Sequence, residues 1–559
     1  MSDTKFRRLI AVLIAVATVF AAVIAQLQTE AGDRDDRASR DAKRASVEAF
    51  GLQVRGAAEA NYNYYTAYEQ YRELDTLRDN AEKQGDEKAA ARYEAIRDGL
   101  IDTSPLLSGK DSKGEAYFDP ESAGQPDIDR FEAESYVREV ERLMQVFRAA
   151  SVVKDAWDYK SNTYIVHLTL LAVAVFLFGL AGTVATHATR GIFTTCGCVI
   201  AVVAVAWAVQ TWASPVVDLR QRGKAIDHYA RARALQHMDR AEEAVAEFQA
   251  AIADYSAYTD AYLELGRALQ QQEESDVAGA LASLQKARQL DPTNDQVLLE
   301  IAWCQFQLGQ LPEAVATGRQ GVQVRPDDLQ TRFLLGLSLL ASGQNAEAKA
   351  EYQKGMEHAA RVVAELNKGR EGGEVLASPE VIAALEEASV DLDGLVEALD
   401  EGQGTPPPDK VANPEQVSKD AEELSIQLVS WELALENTGK PPEGPLAARL
   451  EDLAFQDLSS GKAGPDAETF SGEIAQVQLS FDYSGMKDGQ QVTYRFFLED
   501  RELDSWRWNE KWTGGAEGEW EEPIYPGYSD TFRFEPGTYT VEIFVDYHFA
   551  TAGTFTVEE

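Results

Sequence analysis

Residues 164–185 read YIVHLTLLAVAVFLFGLAGTVA, and residues 193–213 read FTTCGCVIAVVAVAWAVQTWA. Each run continues for about 20 residues without Asp, Glu, Lys or Arg, which is the length that a helix needs to cross the hydrocarbon of a bilayer. Only residues 186–192 separate the runs, so the two helices are expected to lie side by side and antiparallel. The pattern predicts a transmembrane hairpin over residues 164–214, with the remaining chain before and after it.

A third apolar run lies near the N-terminus. It covers residues 9–25 and follows Lys5, Arg7 and Arg8, an arrangement typical of a signal anchor or of a cleaved signal peptide. Helical periodicity continues almost without a break after the run. This continuity favours an uncleaved anchor over residues 1–27, which makes a third membrane span.

The charges that flank the spans give conflicting orientations. The basic N-terminal tail predicts a cytoplasmic N-terminus, whereas Arg220, Arg222 and Lys224 after the hairpin would hold that end inside. Long domains cross the membrane largely regardless of their charge, so the short tail decides. We expect an integral protein of a bacterial cell membrane, with a cytoplasmic N-terminus and extracytoplasmic C-terminal domains.

Residues 28–163 are charged and rich in alanine, with apolar positions at helical spacing. Residues 83–86 (KQGD) break the first long helix, and the stretch at 102–126 has the composition of a loop. The last helix of this region is expected to run directly into the second span. The pattern predicts a helical stalk or bundle that stands on the membrane, and such long helices often self-associate, so a homo-oligomer is one expectation.

Composition excludes some classes of partner. The chain has 559 residues, with 52 basic and 93 acidic side chains and a net charge of -41. Such a charge repels phosphate groups, so we expect the soluble parts to bind neither nucleic acid nor anionic lipid. Cys196 and Cys198 lie in one predicted span, Cys304 is isolated, and the six histidines lack paired-ligand spacing. The sequence therefore predicts no metal, cofactor or catalytic site.

Beyond the third span the sequence repeats with a period of about 34 residues. A pair of residues recurs at 265–266, 301–302 and 335–336, as LG, IA and LG. Small residues recur at further matched positions, and two units end in a residue followed by proline. These matched positions are Ala244, Ala280, Ala314 and Ala348, then Ala251, Ala287, Gly321 and Gly355, and finally Pro292 and Pro326.

This segment resembles the tetratricopeptide repeat, in which small residues let two antiparallel helices approach closely. The resemblance covers about residues 225–360 and implies four units within a solenoid at 222–362. Two extra residues near 271–276 are expected to lengthen one turn. The resemblance implies a concave groove for a protein or peptide partner, formed by the first helix of each unit. The residues carried over to that groove are Tyr229, Arg233, Leu263, Arg267, Leu299 and Trp303.

After the repeats, residues 363–440 are predicted to form a helical cap with a proline-rich break (GQGTPPP). Residues 441–469 are interpreted as a linker with one short helix. From residue 474 the hydrophobic period changes from 3.6 to 2, which predicts strands. Residues 470–559 resemble small Ig-like modules, because EPGTYTV at 535–541 looks like their tyrosine corner.

Several tryptophans mark this last region, namely Trp506, Trp508, Trp512 and Trp520. Aromatic faces on a sandwich can stack on sugar rings, so these four residues are candidates for binding an envelope glycan or the cell wall. The same spacing fits an inner face that packs in the core. Both interpretations remain open at the level of sequence.

The sequence as a whole predicts a multidomain, mainly α membrane protein with three transmembrane helices, a helical stalk, a tetratricopeptide solenoid and a C-terminal Ig-like β-sandwich. The expected function is that of a membrane-tethered, non-enzymatic scaffold that binds a protein or peptide in the repeat groove. One alternative is glycan binding through the C-terminal region. A second alternative is a non-catalytic subunit of a membrane enzyme or transporter.

Overall fold

A computed structural model of the chain describes residues 3–120, 124–370, 375–459, 461–499, 501–526 and 533–558. The chain divides into two compact units, Met1–Leu290 and Asp291–Glu559. The first unit is helical, and the second combines helices with two β-sheets. The prediction of a mainly α chain with a C-terminal β region is confirmed.

The first unit contains eleven helices in its described residues: α1 Asp3–Asn61, α2 Glu69–Lys83, α3 Glu87–Thr103, α4 Pro105–Ser108, α5 Ile128–Glu132, α6 Arg138–Thr183, α7 His187–Ala213, α8 Gly223–His237, α9 Ala241–Asp254, α10 Thr259–Gln270 and α11 Val277–Leu290. Single π-helical segments, Tyr62–Tyr68 and Ala133–Val137, join α1 to α2 and α5 to α6. The chain therefore forms one helical rod from residue 3 to residue 83 and another from 128 to 183.

Three helical stretches are long and apolar enough to cross a membrane: Asp3–Lys83, Ile128–Thr183 and His187–Ala213. Helix α6 packs along both α1 and α7. Buried Ile24, Tyr164, Leu171 and Ala204 form part of the contact between the three helices. The break after α2 has a local cause, because Gly85 adopts a φ of 75° and the Asp86 side chain accepts a hydrogen bond from the backbone N–H of Ala89.

The second unit contains six helices in its described residues: α12 Asp295–Gln307, α13 Leu311–Val324, α14 Leu329–Ala341, α15 Asn345–Leu366, α16 Pro379–Glu401 and α17 Pro414–Thr438. Helices α16 and α17 form a hairpin that packs on α14 and α15. This hairpin contributes to the same hydrophobic cluster as the helices before it, through residues such as Leu385, Leu392 and Leu428.

The four helical pairs from α8 to α15 have the small residues that the periodicity singles out at their contacts. Ala244, Ala280, Ala314 and Ala348 are fully buried. A Cβ atom on Gly266 would lie 2.7 Å from Leu284, and one on Gly336 would lie 2.8 Å from the Tyr352 ring. Glycine is thus required where two helices approach closely. The loop at 271–276 lengthens the turn between α10 and α11.

The β region has nine strands in the described residues: β1 Arg449–Asp457, β2 Thr469–Ser471, β3 Val477–Ser484, β4 Gln491–Leu498, β5 Arg501–Glu502, β6 Trp508–Lys511, β7 Glu517–Ile524, β8 Gly537–Val545 and β9 His548–Glu558. One sheet has the order β1-β3-β7. The other has the order β2-β9-β8-β4-β5, with β6 also paired to β4. Alternating residues of both sheets enter one hydrophobic core, among them Leu479, Phe481, Tyr494 and Val541.

The interpretation of residues 441–469 as a linker with a short helix is wrong. Strand β1 lies in this range and pairs antiparallel with β3, with Leu450 opposite Tyr483 and Phe455 opposite Leu479. The register shifts between Glu451 and Ala454, where Asp452 adopts a φ of 55°. This bulge interrupts the period of two. The sequence LEDLAF therefore shows no alternation, although it belongs to a sheet.

Candidate partner-binding surface

Two arginines from the predicted groove converge on one carboxylate in the first unit. Arg233 of α8 donates from Nη1 to Glu264 Oε2 over 2.9 Å, and Arg267 of α10 donates from Nη1 to Glu264 Oε1 over 3.0 Å. Glu264 keeps only 9% of its side chain exposed, whereas Arg233 and Arg267 keep 33% and 30%. The Arg233–Glu264–Arg267 triad therefore presents two guanidinium groups at the surface above a buried acid.

The position of each charge in the triad follows from helix geometry. Glu264 and Arg267 are three residues apart on α10 and face the same side of the helix. Arg233 reaches the same carboxylate from α8, and Gln236, three residues further along α8, donates to the Gln271 side-chain oxygen over 3.0 Å. Two polar bridges therefore join the first helices of the first two repeats.

Arg233 stays protonated at neutral pH. Burial opposes the protonated form of Arg233, but the carboxylates of Glu264 and Glu141 outweigh it and raise the pKa of Arg233 above its usual value. The guanidinium of Arg233 lies 3.6 Å from Glu141 of α6. The guanidinium of Arg233 therefore lies between two carboxylates, Glu264 of α10 and Glu141 of the stalk helix α6.

Helix α6 of the stalk itself packs on the first repeat. Glu141 pairs with Arg233. The Tyr258 hydroxyl donates to Gln145 Oε1 over 2.9 Å. The Arg148 guanidinium lies 2.8 Å from Asp260. The sequence interpretation did not find this contact. The signal for it is the spacing of residues 141, 145 and 148, which puts three polar side chains on one face of the helix.

Two other predicted groove residues have no surface to offer a partner. Tyr229 is 2% exposed and packs against the Phe248 and Tyr258 rings, with centroids 5.6 and 5.4 Å away. Leu263 is 4% exposed. The assignment of both side chains to groove contacts is corrected, because the first helices bury these positions in their own core.

Leu299 and Trp303 lie on α12 in the second unit, four residues apart on the same face. Both are partly buried against the hydrophobic cluster of this unit. The Trp303 ring stacks on Phe306, with centroids 5.6 Å apart. Part of each side chain reaches the surface, so both remain candidates for partner contact. Nearby Cys304 is buried, which raises the pKa of its thiol to about 12 and keeps the thiol protonated.

The four tryptophans of the β region are engaged by the core. Trp508 stacks on Tyr494 and Phe496 at 4.6 and 4.9 Å, and Trp506 stacks on Tyr539 at 6.0 Å. Trp512 is 1% exposed, and Trp520 packs on it at 4.7 Å. Trp512 is corrected as a candidate glycan contact, because sugar stacking needs an open ring face and this ring is buried. Trp506, Trp508 and Trp520 are only partly buried against the core, and glycan binding at these three stays a prediction.

One group of side chains in the described part of the chain has spacing suited to a metal ion. The ligand atoms of Asp129, Glu132 and His237 all lie within 4.8 Å of one another. His237 Nε2 lies 3.0 Å from Glu132 Oε2. This distance is that of a hydrogen bond between His237 and Glu132, and exposed acidic groups are common without an ion, so the group carries no metal assignment.

Comparison with known proteins supports the repeat segment. A family model described as "Tetratricopeptide repeat" matches residues 272–329. No curated protein matches the sequence significantly. Among solved structures, the chain is similar to one titled "Crystal structure of YrrB: a TPR protein with an unusual peptide-binding site", with 18% identity, 37% of this chain and 93% of that chain covered, and a TM-score of 0.24.

Two further structures show likeness at the same low level. One is titled "MamA MSR-1 C2", with 18% identity, 29% and 88% coverage of this chain and that chain, and a TM-score of 0.23. The other is Pseudomonas fluorescens alkylpurine DNA glycosylase AlkC bound to DNA with an abasic site analog, with 12% identity, 76% and 99% coverage, and a TM-score of 0.24. Scores this low carry no argument about function.

The repeat assignment therefore rests on three observations: the family match, the 34-residue period, and helical pairs with small residues at their contacts. Repeats of this kind are scaffolds on which proteins bind. Residues 272–329 match the tetratricopeptide repeat family, and the helical pairs from α8 to α15 have the paired-helix form that the resemblance implies.

Proposed function

We propose that this chain is a membrane-tethered scaffold that holds a protein partner on the first helices of its repeats, with no catalytic step of its own. The observation that carries the proposal is the Arg233–Glu264–Arg267 triad. Its two guanidinium groups are oriented in advance and are each about one-third exposed. They suit a carboxylate on the partner, because guanidinium groups recognise carboxylates through paired N–H donors.

Preorganisation is what makes the triad suitable for binding. Long arginine side chains lose rotamer freedom when they bind, and this loss costs affinity. Glu264 and Glu141 already hold Arg233 in place, and Glu264 also holds Arg267. A partner carboxylate would therefore meet two ordered cations in a chain that is otherwise strongly acidic.

Tethering is supported by the surfaces of the three candidate spans. Large apolar side chains point away from the packed helices, including Val16, Phe176 and Val202, which are 48, 64 and 68% exposed. A soluble protein seldom exposes such continuous apolar faces, whereas a bilayer would cover them. We propose that helices containing residues 9–25, 164–185 and 193–213 cross the membrane.

The charge distribution supports a cytoplasmic N-terminus. Arg190 forms an ion pair with Asp3, so the start of α7 lies beside the start of α1. Lys5, Arg7, Arg8 and Arg190 therefore share one end of the three helices. Basic residues also lie at the opposite end, among them Arg34, Lys160 and Arg220. The proposal gives weight to the short N-terminal tail and the short turn, because charges in short segments set orientation whereas long domains cross largely regardless of charge. The C-terminal domains would then lie outside the cytoplasm.

A triple variant tests partner binding and removes the buried Glu264 carboxylate together with its two cations. Replacing Arg233, Glu264 and Arg267 together by glutamine removes the charges and keeps polar side chains. The matched control is R240Q with E243Q, which removes an ion pair between exposed side chains at the start of α9. The partner is first identified by crosslinking in cells and then purified.

We expect the triple variant to weaken partner binding by at least about tenfold, because desolvated arginines dominate many interfaces. The control is expected to bind as the native chain does. Equal affinity of the native chain and the triple variant would refute the triad as the binding site.

We also propose an Ig-like classification for the β region. The Tyr539 hydroxyl donates to the Glu535 carbonyl oxygen over 3.0 Å, which is the contact that defines a tyrosine corner. The shared core of the two sheets supports the same classification. Comparison of an experimental structure of this region with Ig-like domains tests it, and a different strand connectivity would refute it.

A further inference from the structure

A polar cavity lies in the first unit, immediately beyond one end of the three apolar runs. Its volume is about 310 Å³, and its lining includes Glu30 of α1, Lys160 of α6 and Ser214 after α7. Glu30 follows the end of the first run at residue 25, and Ser214 follows the end of the third run at residue 213. Lys160 precedes the start of the second run at residue 164. If the runs cross a bilayer, the cavity lies at the depth of the lipid headgroups.

Lys160 is the central cation of this cavity. It is 6% exposed, and its Nζ donates to the Ser214 carbonyl oxygen over 2.6 Å. The same atom lies 5.1 Å from the centroid of the Trp157 ring. Among the described residues, no carboxylate lies within ion-pairing distance of Lys160. A buried cation that has only neutral partners is costly unless an anion joins it.

The second cation of the cavity is already paired. Arg34 lies over the Trp157 ring at 4.6 Å, and its guanidinium contacts Glu30 at 2.5 Å. The charged side chains that line the cavity are therefore Arg34 and Lys160 against Glu30. The lining residues therefore have a net charge of one positive unit, although the whole chain has a net charge of -41. The local field thus favours an anion where the protein as a whole repels anions.

Aromatic residues complete the lining and fit a membrane interface. Trp157, Tyr164 and Trp212 all line the cavity, and Trp212 is 63% exposed. Tryptophan and tyrosine prefer the headgroup level of a bilayer, because their rings are amphipathic. A neighbouring cavity of about 330 Å³ shares Arg34 and Trp157 and adds Arg37 together with Arg220, which pairs with Asp41 and Asp218 in the same lining.

We propose that the cavity around Lys160 binds the phosphodiester of an anionic phospholipid headgroup. The ammonium of Lys160 supplies the charge, and the Arg34 guanidinium, ordered by Glu30, adds N–H donors for phosphate oxygens. The rings of Trp157, Tyr164 and Trp212 hold the glycerol region of the lipid at the membrane interface.

This inference rests on the membrane tether of the proposed function, but not on partner binding by the repeats. The tether is tested separately by extracting native membranes with carbonate. A chain that leaves the membrane would refute the tether. A chain that stays in the membrane but fails the lipid experiment below would refute only the headgroup site.

The lipid experiment uses the full chain, purified in detergent and stripped of lipid. Native mass spectrometry measures binding of phosphatidylglycerol and of phosphatidylcholine with identical acyl chains. Inorganic phosphate is added in a third arm as a competitor. We expect one molecule of phosphatidylglycerol to bind per chain, and to bind more tightly than phosphatidylcholine does. We expect that inorganic phosphate does not displace the bound phosphatidylglycerol. Equal binding of the two lipids would overturn the proposal, and displacement by inorganic phosphate would overturn the lipid source.

Variants at two lysines of α6 sharpen this experiment. K160Q is expected to weaken phosphatidylglycerol binding about fivefold, which corresponds to the roughly 1 kcal/mol of attraction per basic residue near a membrane. K160R keeps the charge and is expected to retain most of the binding. K154Q is the matched control, because Lys154 is 41% exposed and pairs with Asp155. Equal phosphatidylglycerol binding by K160Q and the native chain would overturn the site. If K160Q fails to fold, the comparison of phosphatidylglycerol with phosphatidylcholine on the native chain tests the proposal instead.

Discussion

The first helices of the repeats and the C-terminal β region differ in whether their large side chains stay exposed or pack in the core. In the repeats, alanine and glycine form the helix contacts, and Arg233 and Arg267 remain about one-third exposed around Glu264. In the β region, the tryptophans and tyrosines themselves form the core. The side chains available to a partner are therefore those that the fold does not need for packing.

The comparison explains why residue type alone misleads. A tryptophan has a large apolar surface, so a small sheet region tends to use it as core beside its aliphatic residues. An arginine costs free energy to bury fully, so it stays at the surface even when an acid holds it. Substitutions in the two regions should accordingly affect different properties, namely stability in one and binding in the other.

The largest expected effect is that of W512A in the β region. Trp512 is 1% exposed, so its removal leaves a large cavity and is expected to lower the free energy of unfolding by about 3–5 kcal/mol. Y525A is the matched control, because Tyr525 is 55% exposed and should change stability little. Denaturant unfolding of the full chain in detergent, followed by circular dichroism, measures both. An unaffected W512A would contradict the assignment of this ring to the core.

The next effect concerns the small residues of the repeats. In G355A the new Cβ would lie 2.3 Å from the Phe333 ring, so α14 and α15 would have to move apart at a cost of about 2 kcal/mol. G394A is the control, since a Cβ at this helical position meets no atom within 4 Å and alanine favours helix. Opposite changes in unfolding midpoint are expected. Equal midpoints would mean that glycine is not needed for the helix contact.

A smaller effect depends on pH. Burial raises the pKa of Glu432 on α17 from 4.5 to about 7, although Arg495 and Arg507 oppose the shift. The folded chain therefore binds this proton more tightly than the unfolded chain, and the contribution to stability is lost as pH rises from 4.5 to about 7. E432Q should remove this loss and be more stable than the native chain by about 1–3 kcal/mol at about pH 8.

Glu415 provides the control for this measurement. It is exposed in the first turn of α17, several helical turns from Glu432, so E415Q should leave the pH dependence of stability unchanged. Unfolding curves at several pH values would compare the two variants. The same slope in E432Q as in the native chain would show that another group causes the dependence.

The smallest effect tests how α6 binds the first repeat. Y258F removes the buried hydrogen bond to Gln145, and we expect the unfolding free energy to fall by about 1–2 kcal/mol because the Gln145 oxygen is left unpaired. Adding Q145L removes the unpaired group and should recover part of the loss. A double-mutant cycle measures this coupling. Additive changes would show that the two side chains are independent.

The sequence predicts the repeats well because their period is carried by local residues. Gly266 and Ala280 recur at fixed spacing in neighbouring units, and both lie at helix contacts. Strand β1 was not predictable in the same way, since the bulge at Asp452 removes the alternation that would reveal it. Periodicity thus identifies elements only where the backbone is regular.

The candidate surface was predictable only in part. Position on a first helix identified Arg233 and Arg267, but it did not separate them from Tyr229, which the same helices bury. The contribution of Glu264 depends on the approach of α8 to α10, and that of Glu141 depends on a contact with the distant helix α6. Such pairings are set by tertiary packing, which a local pattern does not contain.

The most direct test of partner binding is site-specific photo-crosslinking in intact cells. A photoreactive residue at exposed Gln271, beside the triad, is compared with one at exposed Gln285 on α11. We predict a discrete protein adduct from position 271 that is absent at position 285 and is lost when Arg233, Glu264 and Arg267 are replaced together by glutamine. An adduct that survives the triple replacement, or one that forms equally from both positions, would contradict a partner site on the first helices.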